Sequence, residues 1–267
     1  NHFRPIPNSG WKIMLLFMIL TAVLSAFLDN VTTVLLVGPM AISIAGILGI
    51  NPVPFLLTQI LASNIGGTAT LIGDPPNIMI GSKAGLSFAD FVVTTGPAVI
   101  LIMIVVCALF YAVYGRRMVV APERMAAVME LDEKRAVQDG MLMKKSLVMI
   151  ALIVLGFVCH SSLGVESCVV ALAAASIMLL IGRQDIEEIV LGVEWSTILF
   201  FTGLFVIVGG MVKCGVISAL GNALVSVTGG NVTLLMILIL WGSAVFSSVL
   251  DNIPFVATMI PLILSMQ

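Results

Sequence analysis

The sequence predicts an all-α polytopic membrane protein built from inverted repeats, with re-entrant helical hairpins and one broken transmembrane helix. Three observations lead there: an apolar composition, apolar stretches of membrane-crossing length, and a 15-residue motif that occurs twice. Of the residues, 60% are hydrophobic and 10% charged, and the mean hydropathy is +1.19. A soluble domain carries about 25% charged residues. So much apolar surface needs lipid as its solvent. The net charge of -2 offers no basic face, so no nucleic-acid partner is expected. Cys107, Cys159, Cys168 and Cys214 are scattered without C-x-x-C spacing and read as small hydrophobes. No signal peptide is visible.

A helix needs about 20 apolar residues to cross a bilayer core. Stretches 97–114, 146–162, 167–182 and 195–212 approach that length. Segments 12–28 and 31–50 are joined only by Asp29-Asn30, and 233–250 and 253–266 only by Asp251-Asn252. Two full spans need a connection in water. Each pair therefore reads as a re-entrant hairpin whose legs meet inside the membrane. Stretch 54–82 is interrupted by Gly66-Gly67, Gly73 and Pro75-Pro76, and reads as two half-helices around an unwound centre. Segments 86–95 and 216–227 are amphipathic and suit the membrane interface. The charged run 123–138 is either a surface helix or a linker.

Charge sets the orientation. Seven of the twelve Lys and Arg residues lie between Arg116 and Lys145, which places that stretch in the cytoplasm. Counting spans from there, the first hairpin opens inward, in agreement with Arg4 and Lys12 at its base, and the second opens outward. The expected organisation is a first hairpin (1–52), a broken helix with its following span (53–114), a cytoplasmic connector (115–145), second-repeat scaffold spans (146–230) and a second hairpin (231–267).

The repeat is direct. Ser25-Ala-Phe-Leu-Asp-Asn-Val-Thr-Thr-Val-Leu-Leu-Val-Gly-Pro39 aligns without gaps on Ser247-Ser-Val-Leu-Asp-Asn-Ile-Pro-Phe-Val-Ala-Thr-Met-Ile-Pro261. Inverted repeats with interrupted helices at the midplane are typical of secondary transporters. Gly66 lies 37 residues after Asp29, so its counterpart would fall near position 288, and that of the Glu194-Trp195 run before Asn1. The sequence is therefore expected to be truncated at both ends.

Asp29, Asp74 and Asp251 lie within apolar stretches. On insertion scales an aspartate at mid-membrane costs about 2.5–3.5 kcal/mol, so each must face protein or water. The bland reading is capping, since aspartate and asparagine are favoured at helix N-caps. The functional reading is compatible with it. A carboxylate, an amide oxygen and freed carbonyls at a hairpin tip form a site for a hard cation or a proton. Asn30, Thr32 and Thr33 add oxygens at the first tip, and Asn252 at the second, where Pro254 stiffens the leg. In the run Gly66-Gly-Thr-Ala-Thr-Leu-Ile-Gly-Asp-Pro-Pro-Asn77, glycines permit close backbone approach and prolines leave carbonyls unpaired. The expected binding residues there are Asn64, Gly66, Gly67, Thr68, Thr70, Gly73, Asp74, Pro75 and Asn77. The bland alternative is a surface loop, but Leu71-Ile72 at its centre argues for burial. No phosphate-binding lysine follows the glycines, which disfavours a nucleotide site. Sodium coordination is expected, if anywhere, at Asn30, Thr33 and Asn77. His160 reads as a solvated interfacial residue. Glu194 suits a helix N-terminus and Trp195 the aromatic belt.

The two Asp-Asn tips, the Gly66–Asn77 run and Val193-Glu-Trp-Ser-Thr-Ile-Leu-Phe-Phe201 together resemble the ion transporter superfamily. Within it the sequence is most similar to the group holding the arsenical pump membrane protein, NhaD-type sodium/proton antiporters and the melanosomal P protein. The resemblance covers nearly the whole chain. It implies a homodimer in which a mobile unit moves elevator-fashion against a scaffold. It also implies a transported ion or small inorganic solute, protons or sodium as coupling ion, no cofactor, no enzymatic activity, and a soluble ATPase partner if the protein pumps arsenite. A multi-pass protein of a prokaryotic plasma membrane is expected. Relatives such as the divalent-anion/sodium symporters carry Ser-Asn-Thr at the tips. Asp29-Asn30-Val31-Thr32 sets a carboxylate where those have a hydroxyl, which favours proton coupling. The alternatives are an anion channel and a sodium-coupled organic anion symporter of the same fold. An intramembrane aspartyl protease is disfavoured, because Leu71-Ile72-Gly73 precedes Asp74 in place of a Gly-x-Gly.

Orientation is testable by labelling single cysteines in intact cells. Positions Met125 and Glu133 should be reached only from the cytoplasm, and Gly164 only from outside. Labelling of Glu133 from outside reverses the assigned orientation.

Overall fold

A computed structural model describes residues 9–115, 118–129 and 139–266, and all regular elements there are helices. Expectations placed on Arg4, on Glu133 and on the side chain of His160 fall outside what it describes. The residues divide into two compact units, one of 1–77 with 86–184 and one of 78–85 with 185–267.

In the first unit α1 (Ser9–Ser25), α2 (Asn30–Leu48) and α3 (Pro52–Gly67) form a tight three-helix group. Its core is Trp11, Met14, Met18, Ala41, Ala45, Phe55, Ala62 and Met118. The small residues Ala41, Ala45 and Ala62 let the helices approach, and Phe17 meets Phe55 edge-on with ring centroids 6.4 Å apart. In lipid, such close packing and interhelical hydrogen bonds hold helices together, because the solvent is as apolar as the side chains. The bonds are present. Thr21 Oγ1 donates to the side-chain Oε1 of Gln59, and Ser25 Oγ donates to the Ser63 backbone carbonyl at 2.7 Å. Gln59 passes a bond on to Thr58 Oγ1 at 3.3 Å, and Thr58 donates to the Phe55 carbonyl at 2.7 Å. Thr21, Ser25, Thr58 and Gln59 are fully buried, so this polar seam is satisfied inside an apolar core.

The helix α2 fills nearly all of the expected segment 31–50. Its 19 residues span about 28 Å at 1.5 Å per residue, enough to cross a membrane by length and composition. The expected stretch 167–182 is helical over the same bounds, Ser167–Gly182, at 16 residues. The turn between α1 and α2 is longer than Asp29-Asn30 alone, because α1 ends at Ser25.

After the break, α4 (Pro75–Ala84) runs across the division between the units. Helix α5 (Phe88–Thr94) is closed by a Ser87/Asp90 capping box, and the Ser87 hydroxyl and N–H hold the Asp90 carboxyl below its usual range. Helix α6 (Gly96–Tyr114) is a full-length apolar helix. The start of the charged run is helical, as α7 (Pro122–Met129). Helices α8 (Gly140–Leu163) and α9 (Ser167–Gly182) pack antiparallel, with Lys145 Nζ donating to the Ile181 carbonyl at 2.7 Å. Asp139 caps α8, and the N–H groups of Leu142 and Met141 hold its carboxyl below the ordinary value.

The second unit holds α10 (Ile186–Leu191), α11 (Trp195–Lys213), α12 (Val216–Thr228), α13 (Val232–Ser247) and α14 (Asn252–Leu264). Helix α12 packs against α11, α13 and α14. At the start of α11 the Thr197 hydroxyl donates to Glu194 Oε2 at 3.0 Å, and Trp195 Nε1 donates to the Val190 carbonyl at 3.0 Å.

Candidate functional site

The two hairpin tips share one local conformation, reached independently in each unit. Helix α1 ends at Ser25 and α2 begins at Asn30; α13 ends at Ser247 and α14 begins at Asn252. Asp29 (φ −55, ψ 144) and Asp251 (φ −58, ψ 138) are the N-caps. In the first turn the Phe27 and Leu28 N–H groups donate to the Leu24 carbonyl at 3.0 and 2.8 Å. In the second, Val249 and Leu250 donate to Phe246 at 3.2 and 2.9 Å. Pro39 and Pro261 sit at matching places inside α2 and α14. The repeat in the sequence is thus a repeat in backbone geometry.

Both aspartates cap as the bland reading expects. Asp29 Oδ2 accepts from the Val31 and Thr32 N–H groups at 3.0 and 3.1 Å, and Asp251 Oδ1 accepts from Ile253 at 3.3 Å. One oxygen of each carboxylate does the capping, which leaves the other available to a ligand.

The first tip lies against the break that follows α3. Asn30 Nδ2 donates to Asn64 Oδ1 at 3.0 Å, and Thr70 donates to the Ala26 carbonyl. The break itself, 68–74, is held from within. Asn77 Nδ2 donates to the carbonyls of Gly67 at 3.1 Å and Thr70 at 2.8 Å, and the Gly73 N–H donates to Thr70 Oγ1 at 3.1 Å. Thr95 Oγ1 reaches the Ala69 carbonyl at 3.4 Å. Asp74 is buried, 9% exposed, directly before α4, where a helix N-terminus favours negative charge.

The glycines explain how these backbones come so close. A Cβ on Gly66 would overlap the Ala22 carbonyl and lie 2.5 Å from Ala22 Cα. One on Gly67 would lie 2.7 Å from the Gly73 carbonyl oxygen, and one on Gly73 2.7 Å from that of Ser25. No side chain fits at any of the three.

The structure therefore brings together Asp29, Asn30, Asn64, Gly66, Gly67, Thr70, Gly73 and Asn77, with Asp74 and Pro75 opening α4 beside them. Thr32 stays at the tip, its hydroxyl 3.4 Å from Asp29 Oδ2, whereas Thr68 is exposed and donates to the Asn64 carbonyl at 2.9 Å in its own helix. Of the three residues expected to hold sodium, Asn77 spends its amide on the break and Asn30 bonds to Asn64. Thr33 is fully buried, and its hydroxyl has no hydrogen-bond partner among the described residues. Asp251 and Asn252 belong to the second unit. There, among the described residues, no helix covers α13 as α3 covers α1. Met14 and Met18 are 0% exposed, whereas their counterparts Met236 and Leu240 are each 66% exposed.

Sequence reasoning missed Thr21, Ser25 and Gln59, whose side chains align α1 on α3. A signal for the first two exists. Thr21 and Ser25 are four residues apart, so they form a polar stripe on one face of the apolar α1.

A family described as Citrate transporter matches residues 4–267. The chain is 44% identical over 252 residues to an uncharacterized transporter of Mycobacterium tuberculosis, covering 94% of this chain and 59% of that protein. It is 42% identical over 256 residues to a 46 kDa membrane protein of Mycobacterium leprae, covering 96% and 60%. It is 29% identical over 334 residues to the P protein of Homo sapiens, covering 96% and 40%. The chain thus spans about three-fifths of the length of these mycobacterial relatives.

Gly66→Ala and Gly73→Ala should each lower transport at least tenfold while the protein still inserts in the membrane. Gly46→Ala, where a Cβ meets nothing within 4 Å, is the control and should transport normally. Normal transport by both break variants means that the backbones do not need this approach.

Proposed function

The chain belongs to the citrate transporter family, and from that premise we propose that it is a proton- or sodium-coupled secondary transporter of an ion or small inorganic solute. The leading substrates are arsenite, in efflux, and sodium, in exchange for protons. The observation that carries this reading is the junction of the first tip with the helix break. It gathers a carboxylate, amide groups and backbone carbonyls, and no lysine, arginine or histidine stands among the residues brought together. Such a donor set suits a proton or a hard cation better than a free polyanion. The buried, unpartnered hydroxyl of Thr33 supports a nearby polar guest.

The two hairpins act as re-entrant elements facing opposite sides of the membrane, and a mobile transport part of the protein moves elevator-fashion against a scaffold. The protein works as a homodimer in a prokaryotic plasma membrane, a location that suits the mycobacterial relatives. If arsenite is the substrate, a soluble ATPase can be a partner. The second reading is a sodium-coupled symporter of an organic anion, favoured by the family's description. Flux that saturates with substrate separates either transporter from an anion channel.

The test is flux of the full-length protein in proteoliposomes with arsenite, sodium, citrate and small anions, with and without a pH gradient. Asp29→Asn keeps the size and the cap, since asparagine caps as well as aspartate, but removes the titratable charge. It should reduce pH-driven flux at least tenfold with folding preserved. A role in capping alone predicts near-normal flux. Proton-coupled flux that persists in Asp29→Asn, Asp251→Asn and the double variant removes the tips as the coupling site.

A further inference from the structure

The open base of the first hairpin, the end away from the tip, is not free. At the foot of α2 the chain turns through Gly49 at φ 66, and its N–H returns to the Ala45 and Gly46 carbonyls. A helix end leaves further carbonyls without partners. One of them, Leu48, accepts from Arg124 Nη1 of α7 at 3.2 Å. A cation there also opposes the partial negative charge of the helix C-terminus. The guanidinium occupies the place where a Cβ on residue 49 would stand. Glycine at 49 therefore serves both the left-handed turn and the seat of Arg124.

The foot of α1 is covered by the same segment. Met118 and Val120 are 6% and 1% exposed, and Met118 joins the core around Trp11 and Met14. A Cβ on Gly10 would lie 3.2 Å from Met118 Cβ and from Val120 Cγ2. The Met118 N–H donates to the Tyr114 carbonyl at 3.1 Å, so the segment continues from the end of α6. The ring of Trp11 meets that of Tyr111 with centroids 5.4 Å apart, a second tie between the same elements. An incidental surface helix would need neither two buried anchors nor a glycine at its contact with each leg.

We infer that residues 118–129 form a strap pinning the base of the first hairpin to α6, with Arg124 as the positioning residue that holds α2 in register. Helix α2 is continuous through Pro39, with Arg124 at its foot and the Asp29 cap at its head. A shift at the foot is carried to the tip. The hairpin and α6 accordingly move as one body, and the connector sets the geometry of the site at the far end. The functional meaning of this strap rests on the reading of the tip as part of the ion pathway.

Two measurements on the full-length protein test it, and neither needs a transported ion. With Cys107, Cys159, Cys168 and Cys214 replaced by alanine, Gly10→Cys/Met118→Cys should form a disulfide in most molecules, because the two Cβ atoms already lie near bonding separation. In hydrogen exchange, Arg124→Gln should speed the amides of residues 28–34 at least fivefold, and Arg124→Lys should restore part of the protection. A purely local role would affect only residues 47–50. Val120→Asp, which places a charge under the strap, should reproduce the effect at the tip. Absence of the disulfide, or tip exchange unchanged in both Arg124→Gln and Val120→Asp, overturns the strap. A strap that passes these tests while no ion is carried points instead to failure of the transport reading.

Discussion

The structure of the first unit depends on one constraint: α1 and α3 must approach backbone to backbone where the hairpin turns. Gly66 makes this approach to Ala22, and Gly73 makes it to Ser25. Lipid supplies no force that drives apolar helices together, so tight packing and satisfied polar groups must hold them. The Thr21–Gln59 and Ser25–Ser63 bonds meet that requirement along the same seam. With α3 fixed on α1, the helix break lies under the tip, and Thr70 closes on the Ala26 carbonyl. Loss of the approach would separate the donors of the candidate site without altering any of them.

The tip carboxylates combine two roles usually weighed as alternatives. Capping uses one oxygen of Asp29 to satisfy the N–H groups of Val31 and Thr32. This gives the carboxylate a structural role, since an unsatisfied helix start costs more in lipid than in water. It does not explain why aspartate rather than asparagine stands there, because the two cap equally well. The charge itself is what the proposed coupling role uses, at both Asp29 and Asp251.

Much of this was legible in the sequence. Hydropathy delimits nearly every helix to within a few residues, because the lipid-facing signal is strong and glycine, proline and aspartate mark the ends. The tip repeat was legible too, down to Pro39 and Pro261, because a capped turn between two helices is specified locally. What could not be read was contact between distant segments. The strap is one case: Met118, Val120 and Arg124 lie in a charged stretch that looks like linker, and only folding reveals that they meet Gly10 and Gly49. The seam is another. Thr21 and Gln59 are ordinary exceptions in apolar helices until they are seen to face each other. The length of α2 was legible as well: the segment 31–50 read from the sequence is Asn30–Leu48 in the structure, closed by Gly49.

The central claim is that a satisfied polar seam between α1 and α3 holds the hairpin over the break. A double-mutant cycle on Thr21→Val and Gln59→Leu, read as unfolding free energy of the full-length protein in mixed micelles, addresses it directly. Each single substitution strands a buried polar partner and should cost about 1–3 kcal/mol. The double variant strands neither, so its cost should fall short of the sum of the singles by about 1 kcal/mol or more. Additivity within about 0.5 kcal/mol would show that the two residues are not coupled, and the seam would then not be what holds the hairpin in place.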